Sequence, residues 1–138
     1  MRKFIRNNSA ASAIEFALIA PVFLLLLMGM IAYGIYFGAA HSVQEIASDA
    51  ARTAVAGLNS TERQQLAQDF IDKNAGNYSF VDGKKLTVKV GDNVKNPNQF
   101  NVEVSYDATQ LPIWNMFPDV IMPSSTIVKT TAIRIGGI

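Results

Sequence analysis

Chemistry-bearing residues are few in this chain. It has no cysteine and a single histidine, His41. Thiol nucleophiles, disulfides and thiol metal sites are therefore excluded, and an imidazole site would rest on one ring. Asp69 and Asp72 stand three apart on a predicted helix. Paired carboxylates can run acid–base chemistry, but on the polar face of a helix they are ordinary solvated surface. Asp82, Asp92 and Asp107 adjoin turns or strand ends, where Asp serves backbone geometry. No phosphate loop, nucleophile elbow or metal-ligand spacing occurs. The expectation is a non-enzyme with no metal and no cofactor.

Glu15 is different. It is a lone carboxylate directly before an uncharged run from Phe16 to Ala40. As a helix that run is about 37 Å long, against a hydrocarbon core of about 30 Å. An acidic residue at the mouth of a membrane helix is costly to bury, and its place there calls for a partner or a task.

The flanks predict an orientation. Arg2, Lys3 and Arg6 precede the run with no acid among them, and short cationic flanks stay in the cytoplasm. Beyond residue 15 the chain carries nine Lys/Arg and ten Asp/Glu, so the formal charge of +1 comes from the N-terminal cluster. A sequence pI of about 8.0 gives no reason to expect a nucleic-acid partner. Gly38-Ala39-Ala40 offers small residues of the kind a signal peptidase accepts, which would release a domain starting at His41. Against this, the apolar core of a secretory signal is about 7–15 residues, far shorter than this run. The expected organisation is a basic leader over 1–10, a transmembrane helix over 11–40 and a domain over 41–138. A domain of that size has a modest core, and without disulfides it must hold itself by packing or by docking on neighbours.

Past His41, apolar residues recur at Val43, Ile46, Ala47, Ala50, Ala54 and Leu58, the spacing of one helix face. The pattern predicts that the membrane helix continues as an amphipathic half able to lie on a sheet, unbroken until Gly57 and Asn59. Asn59 or Ser60 can cap a second helix, with Glu62 at the capping-box distance from Asn59. Leu66, Ala67, Phe70 and Ile71 form its apolar face, and Gly76 follows its last turn. The period then becomes two. Asp82-Gly83 predicts a tight turn joining a strand at Tyr78–Val81 to one at Leu86–Val90, and Phe100–Tyr106 alternates as a half-buried strand. A last strand over Thr126–Ile135 carries apolar residues on both parities, which suits a central position. The predicted fold is α+β: a long N-terminal transmembrane helix extending into a small antiparallel sheet domain with helices on one face. Between the last two strands, residues 111–123 are rich in large apolar side chains but broken by proline. They form either a lid on the small core or an exposed docking patch around Trp114 and Phe117.

The N-terminal constellation has its own signature. A basic leader and the small residues Ser9-Ala10-Ala11-Ser12-Ala13 precede Ile14-Glu15-Phe16-Ala17-Leu18-Ile19-Ala20-Pro21, then Leu24-Leu25-Leu26-Leu27 and Gly29. This resembles the TadE-like minor pilins, or pseudopilins, of tight-adherence pili, a branch of the type IV pilus superfamily. The match covers roughly the first forty residues. Ala-Ile-Glu-Phe-Ala-Leu with Pro21 is its specific part, since any membrane helix supplies leucines. The resemblance implies a pilin-like fold and removal of the leader by a prepilin peptidase between Ala10 and Ala11. The family's usual glycine before the cut is replaced here by Ala10. Either the peptidase tolerates alanine, or the leader stays as a plain anchor.

In that setting Glu15, beside Phe16, acquires a purpose. Cleavage would create an α-amino group on Ala11, about one helical turn away. The carboxylate of one subunit could then pair with the amine of the next, relieving two charges in apolar surroundings. The plainer alternative is that Glu15 marks the headgroup boundary. Gly34 and Gly38 form a small-xxx-small face for helix packing, although such pairs arise by chance in membrane helices. Pro21 removes one helical hydrogen bond and predicts a kink.

The resemblance implies a bacterial inner-membrane subunit with a periplasmic domain, acting in assembly or priming of a pilus. Its partners would be other pilin and minor pilin subunits, the prepilin peptidase, the assembly platform and the lipid bilayer. The alternative is a signal-anchored periplasmic binding or sensor module that never joins a filament.

Overall fold

The computed structural model describes residues 8–114, 116–117 and 122–136. The basic residues Arg2, Lys3 and Arg6, and positions 115 and 118–121 of the expected lid, lie outside the described residues. The first described element is helix α1, Asn8–Ala54, 47 residues that continue unbroken across Pro21. At about 1.5 Å per residue this is a rod roughly 70 Å long.

Along its length α1 is two different objects. Over residues 9–28 every side chain is exposed except the half-buried Ala20. From Gly29 onward a buried stripe begins, with Ala32, Tyr36, Ala39, Val43, Ile46, Ala47, Ala50, Ala51 and Ala54 on one face. Most of these are alanines, and a face of small side chains lets the helix lie close on the sheet. The stripe predicted at Val43–Ala54 is therefore present, but Leu58 does not join it. The helix stops at Ala54, earlier than expected, and Leu58 is 87% exposed. The stop has a local cause. The Gly57 N–H bonds the Ala54 carbonyl at 3.0 Å, and a Cβ on Gly57 would come within 2.8 Å of the Arg63 backbone nitrogen. Only glycine fits that close approach.

Helix α2 spans Ser60–Asn74. The Asn59 side chain accepts from the Glu62 N–H at 2.9 Å, while the Glu62 carboxylate accepts from the Leu58 N–H at 2.8 Å, so the reciprocal cap reaches one residue further back than the standard box. A single turn of 3₁₀ helix, Ala75–Asn77, extends the end of α2 past the expected stop at Gly76.

The sheet has three antiparallel strands in the order β1-β2-β3: β1 is Leu86–Asp92, β2 Gln99–Asp107 and β3 Thr126–Arg134. On β2, Phe100, Val102, Val104 and Tyr106 are buried against the helices, and the residues between them face outward half-exposed, the alternation read from the sequence. Two expectations are corrected. Tyr78–Val81 is not a strand: Phe80 has φ +62°, and Asp82 caps a 3₁₀ turn at Gly83–Lys85 by accepting from the Lys84 N–H at 3.0 Å. Asp82-Gly83 is thus a helical cap rather than a hairpin turn. Nor is β3 central. Its apolar residues on two parities are not buried on two faces: Ile127 is buried, whereas Val128 is 49% exposed and Ala132 is exposed. The inward parity also holds Thr131, which accepts a hydrogen bond from Gln44 on α1 at 3.3 Å.

Candidate functional site

The residues singled out at the N-terminus lie on the free half of α1. Ala10, Ala11, Glu15, Phe16 and Pro21 are all exposed, Phe16 by 73%. The two glycines expected to form one packing face are separated by the fold. Gly38 is covered by the Phe80 ring, which a Cβ would meet at 2.8 Å, whereas Gly34 is exposed with open space where its Cβ would stand.

Where the free half meets the domain, aromatic rings gather. Tyr33 lies 5.8 Å from Phe117 and 6.2 Å from Phe37; Tyr36 lies edge-on to Phe37 at 5.9 Å and to Trp114 at 6.5 Å. The Trp114 indole N–H donates to the Ala108 carbonyl, and the Tyr36 hydroxyl donates to the Ser124 carbonyl at 2.8 Å. Ile113 beside them is fully buried. Phe117 is seated on Gly29, where a Cβ would stand 2.5 Å from the ring. Trp114 and Phe117 are both half-buried against α1. Tyr and Trp concentrate at the water interface of a membrane. The start of this collar at Tyr33 lies about 27 Å along the helix from Glu15, close to one hydrocarbon thickness of about 30 Å. Among the described residues, one long apolar helix fits a single-pass membrane anchor.

The other titratable residues are dispersed. His41 pairs with Glu45 one turn on at 3.4 Å, both exposed. Asp69 is exposed, and Asp72 accepts from Gln68 at 2.9 Å on the surface of α2. Asp107 accepts from the Thr109 hydroxyl at 2.7 Å and its N–H at 3.0 Å, and these bonds hold its carboxyl below the usual range. An open polar pocket of about 440 Å³ is lined by Gln44, Glu45, Ser48, Asp49, Arg52 and Tyr78. In it the Tyr78 hydroxyl donates to Asp49 at 2.7 Å. Burial first, then that bond and the charges of Asp49 and Glu45, push Tyr78 up to about 12. Among the described residues, no group of three or more His, Asp or Glu is placed to hold a metal.

Sequence reasoning missed two residues of α2. Arg63 is buried, stacks over the Phe100 ring at 5.0 Å, donates to the Gly57 carbonyl at 3.1 Å and lies 3.6 Å from Asp92. Gln64 donates to the Val88 carbonyl at 3.0 Å and accepts from the Val90 N–H at 2.7 Å. Its amide thus pairs with the open edge of β1 as a neighbouring strand would. Neither carries a clear local signal, because the Phe100 and Asp92 partners of Arg63 and the β1 partners of Gln64 are distant in sequence.

No curated protein and no solved structure matches the chain. A family model described as TadE-like protein matches residues 10–52, a stretch running from Ala10 through Glu15 and Phe16 to the docked half of α1. Over those residues the chain is similar to the TadE-like family.

Proposed function

We propose that this chain is a membrane-anchored, minor pilin-like subunit that acts in assembly or priming of a Tad pilus, without catalytic activity of its own. The TadE-like match associates the chain with Tad pili generally. The observation that favours a subunit role is the free half of α1. About 30 Å of helix leaves the domain with its apolar side chains exposed around the whole circumference. Such a segment can be covered by lipid in the membrane and by neighbouring helices in a filament. On this reading the domain is periplasmic and the leader cytoplasmic. The partners are other pilin subunits, the assembly platform of the inner membrane and a prepilin peptidase cutting between Ala10 and Ala11.

Glu15→Gln tests the assembly role. Glu15 stands about 20 Å from the first buried position, Gly29, so the substitution should leave insertion and the domain unchanged. Assembly should fall if the Ala11 amine of a neighbour loses its charged partner, since breaking a buried pair costs about 3–5 kcal/mol. Glu45→Gln is the surface control. Equal filament yield in both variants would retire the pairing and leave Glu15 as a boundary residue. Sequencing the mature N-terminus separates the rival reading: Ala11 at the start supports the pilin, and an intact leader supports an anchored sensor module.

A further inference from the structure

The groove between α1 and the residues Pro112 and Met116 is lined by these two with Met28, Ile31, Ala32 and Ile35, holds about 150 Å³ and has almost no polar wall. Four of those six residues, Met28 to Ile35, belong to the anchor helix itself. Met28 and Ile31 are more than half exposed and continue the apolar surface of residues 16–27 without a break. The groove begins on the Glu15 side of the collar, at Met28, and runs up to the collar's first turn, at Ile35. A hydrocarbon layer that starts near Glu15 and extends about 30 Å reaches this level before it reaches the collar's far edge at Phe37.

We propose that residues 112, 114, 116 and 117 form a seat by which the domain rests in the bilayer, with the groove filled by phospholipid acyl chains of the leaflet on the domain's side. The collar holds the headgroup level, where Trp and Tyr rings are favoured and their N–H and O–H groups are already bonded to the Ala108 and Ser124 carbonyls. Phe117, wedged on Gly29, and Met116 reach below it. The seat fixes the depth of the anchor helix and the orientation of the domain on the membrane. A lone transmembrane helix does neither, since its tilt is set by its packing and its interfacial anchors.

The chain contains one tryptophan, Trp114, and no cysteine, so the full-length protein in phosphatidylcholine vesicles reports on this directly. Vesicles with lipids brominated just below the headgroups should quench Trp114 strongly, and those brominated at the chain ends should quench it less. Met116→Glu should relieve the quenching by placing a charge in the apolar groove. Absence of quenching by any brominated lipid overturns the seat, as does quenching that is equal at all depths and unchanged in Met116→Glu. Should Met116→Glu not fold, Met116→Cys serves instead. Protection from a water-soluble maleimide in vesicles, with labelling after denaturation, supports the proposal. Rapid labelling in vesicles, or disulfide-linked dimers through Cys at this position, overturns it in favour of water or a second copy in the groove. The vesicles contain no other pilus subunit, so a failed seat leaves the assembly reading untouched, and the reverse holds.

Discussion

The two halves of α1 share one continuous helix and differ in almost everything else. The first, up to residue 28, is exposed on all sides and rich in leucine and phenylalanine; the second is amphipathic, with a buried face made mostly of alanine. Large side chains suit a surface wrapped by lipid or by other helices, where there is no fixed neighbour to fit. Small ones suit a helix pressed on a sheet, where each extra methylene would push the layers apart. The change falls at Gly29, the residue that carries the Phe117 ring.

The sharpest way to break that comparison is to remove the same amount of side chain from each half. Ile46 is fully buried between α1 and the sheet. Ile46→Ala should destabilise the domain by about 2–5 kcal/mol, the range for large-to-small changes in a packed core. Leu25→Ala, on the free half, should leave domain unfolding unchanged. Urea titration in detergent, followed by Trp114 emission, reads both. Comparable losses would mean that the free half is packed in the folded protein after all.

A smaller effect is expected at Tyr78, which ties the loop before β1 to the docked half through Asp49. Tyr78→Phe should cost about 1 kcal/mol at neutral pH, the usual worth of one such bond. The pH dependence has a definite sign. The folded state raises this hydroxyl to about 12, above its unfolded value of about 10, so it favours the neutral form. The contribution is complete below pH 10 and is lost as pH climbs from about 10 to 12. Wild type should therefore lose more stability than Tyr78→Phe over that alkaline window, in parallel urea series. Identical slopes would place the Tyr78 hydroxyl outside the fold's hydrogen bonding.

These contrasts track what the sequence could and could not convey. The stripe Val43–Ala54 and the alternation on β2 follow from a helical period and a period of two, each visible in a short window. The Glu15-Phe16 signature was legible because the whole motif is contiguous. The Asp82 cap and the stop of α1 before Gly57 are local and escaped sequence reading because several turn types share the same residues; the other missed features depend on contacts remote in sequence. Phe80 takes a left-handed conformation with its ring over Gly38, about forty residues away, and the segment Tyr78–Val81 is not the expected strand. The edge position of β3 depends on which strand pairs with β2 on each side, which no local pattern encodes. The collar needed Trp114 and Phe117 to be folded back on Tyr36 and Tyr33.

The finest test lies within a single turn of α1, at the two glycines that the sequence presents as equivalent. Alanine at either position gains up to about 1 kcal/mol of helix propensity over glycine. At Gly34 nothing opposes that gain, because the space for a Cβ is open. At Gly38 the new methyl would enter the Phe80 ring, with Cδ2 at 2.8 Å and Cε2 at 3.0 Å. Phe80 is in a left-handed backbone conformation that costs a non-glycine residue about 1–2 kcal/mol, so displacing its ring removes the contact that accompanies that cost. Gly34→Ala should therefore be neutral or slightly stabilising to the domain, and Gly38→Ala neutral or slightly destabilising, a difference of about 1 kcal/mol. Thermal unfolding in one detergent measures both. Assembly should respond in the opposite sense if Gly34 meets a neighbouring helix, because a methyl group at a close helix crossing weakens it. A Gly34→Ala variant that is stable yet poorly assembled would assign that glycine to the contact between subunits. One that assembles normally would show that the exposed glycine is merely tolerated in a helix with room around it.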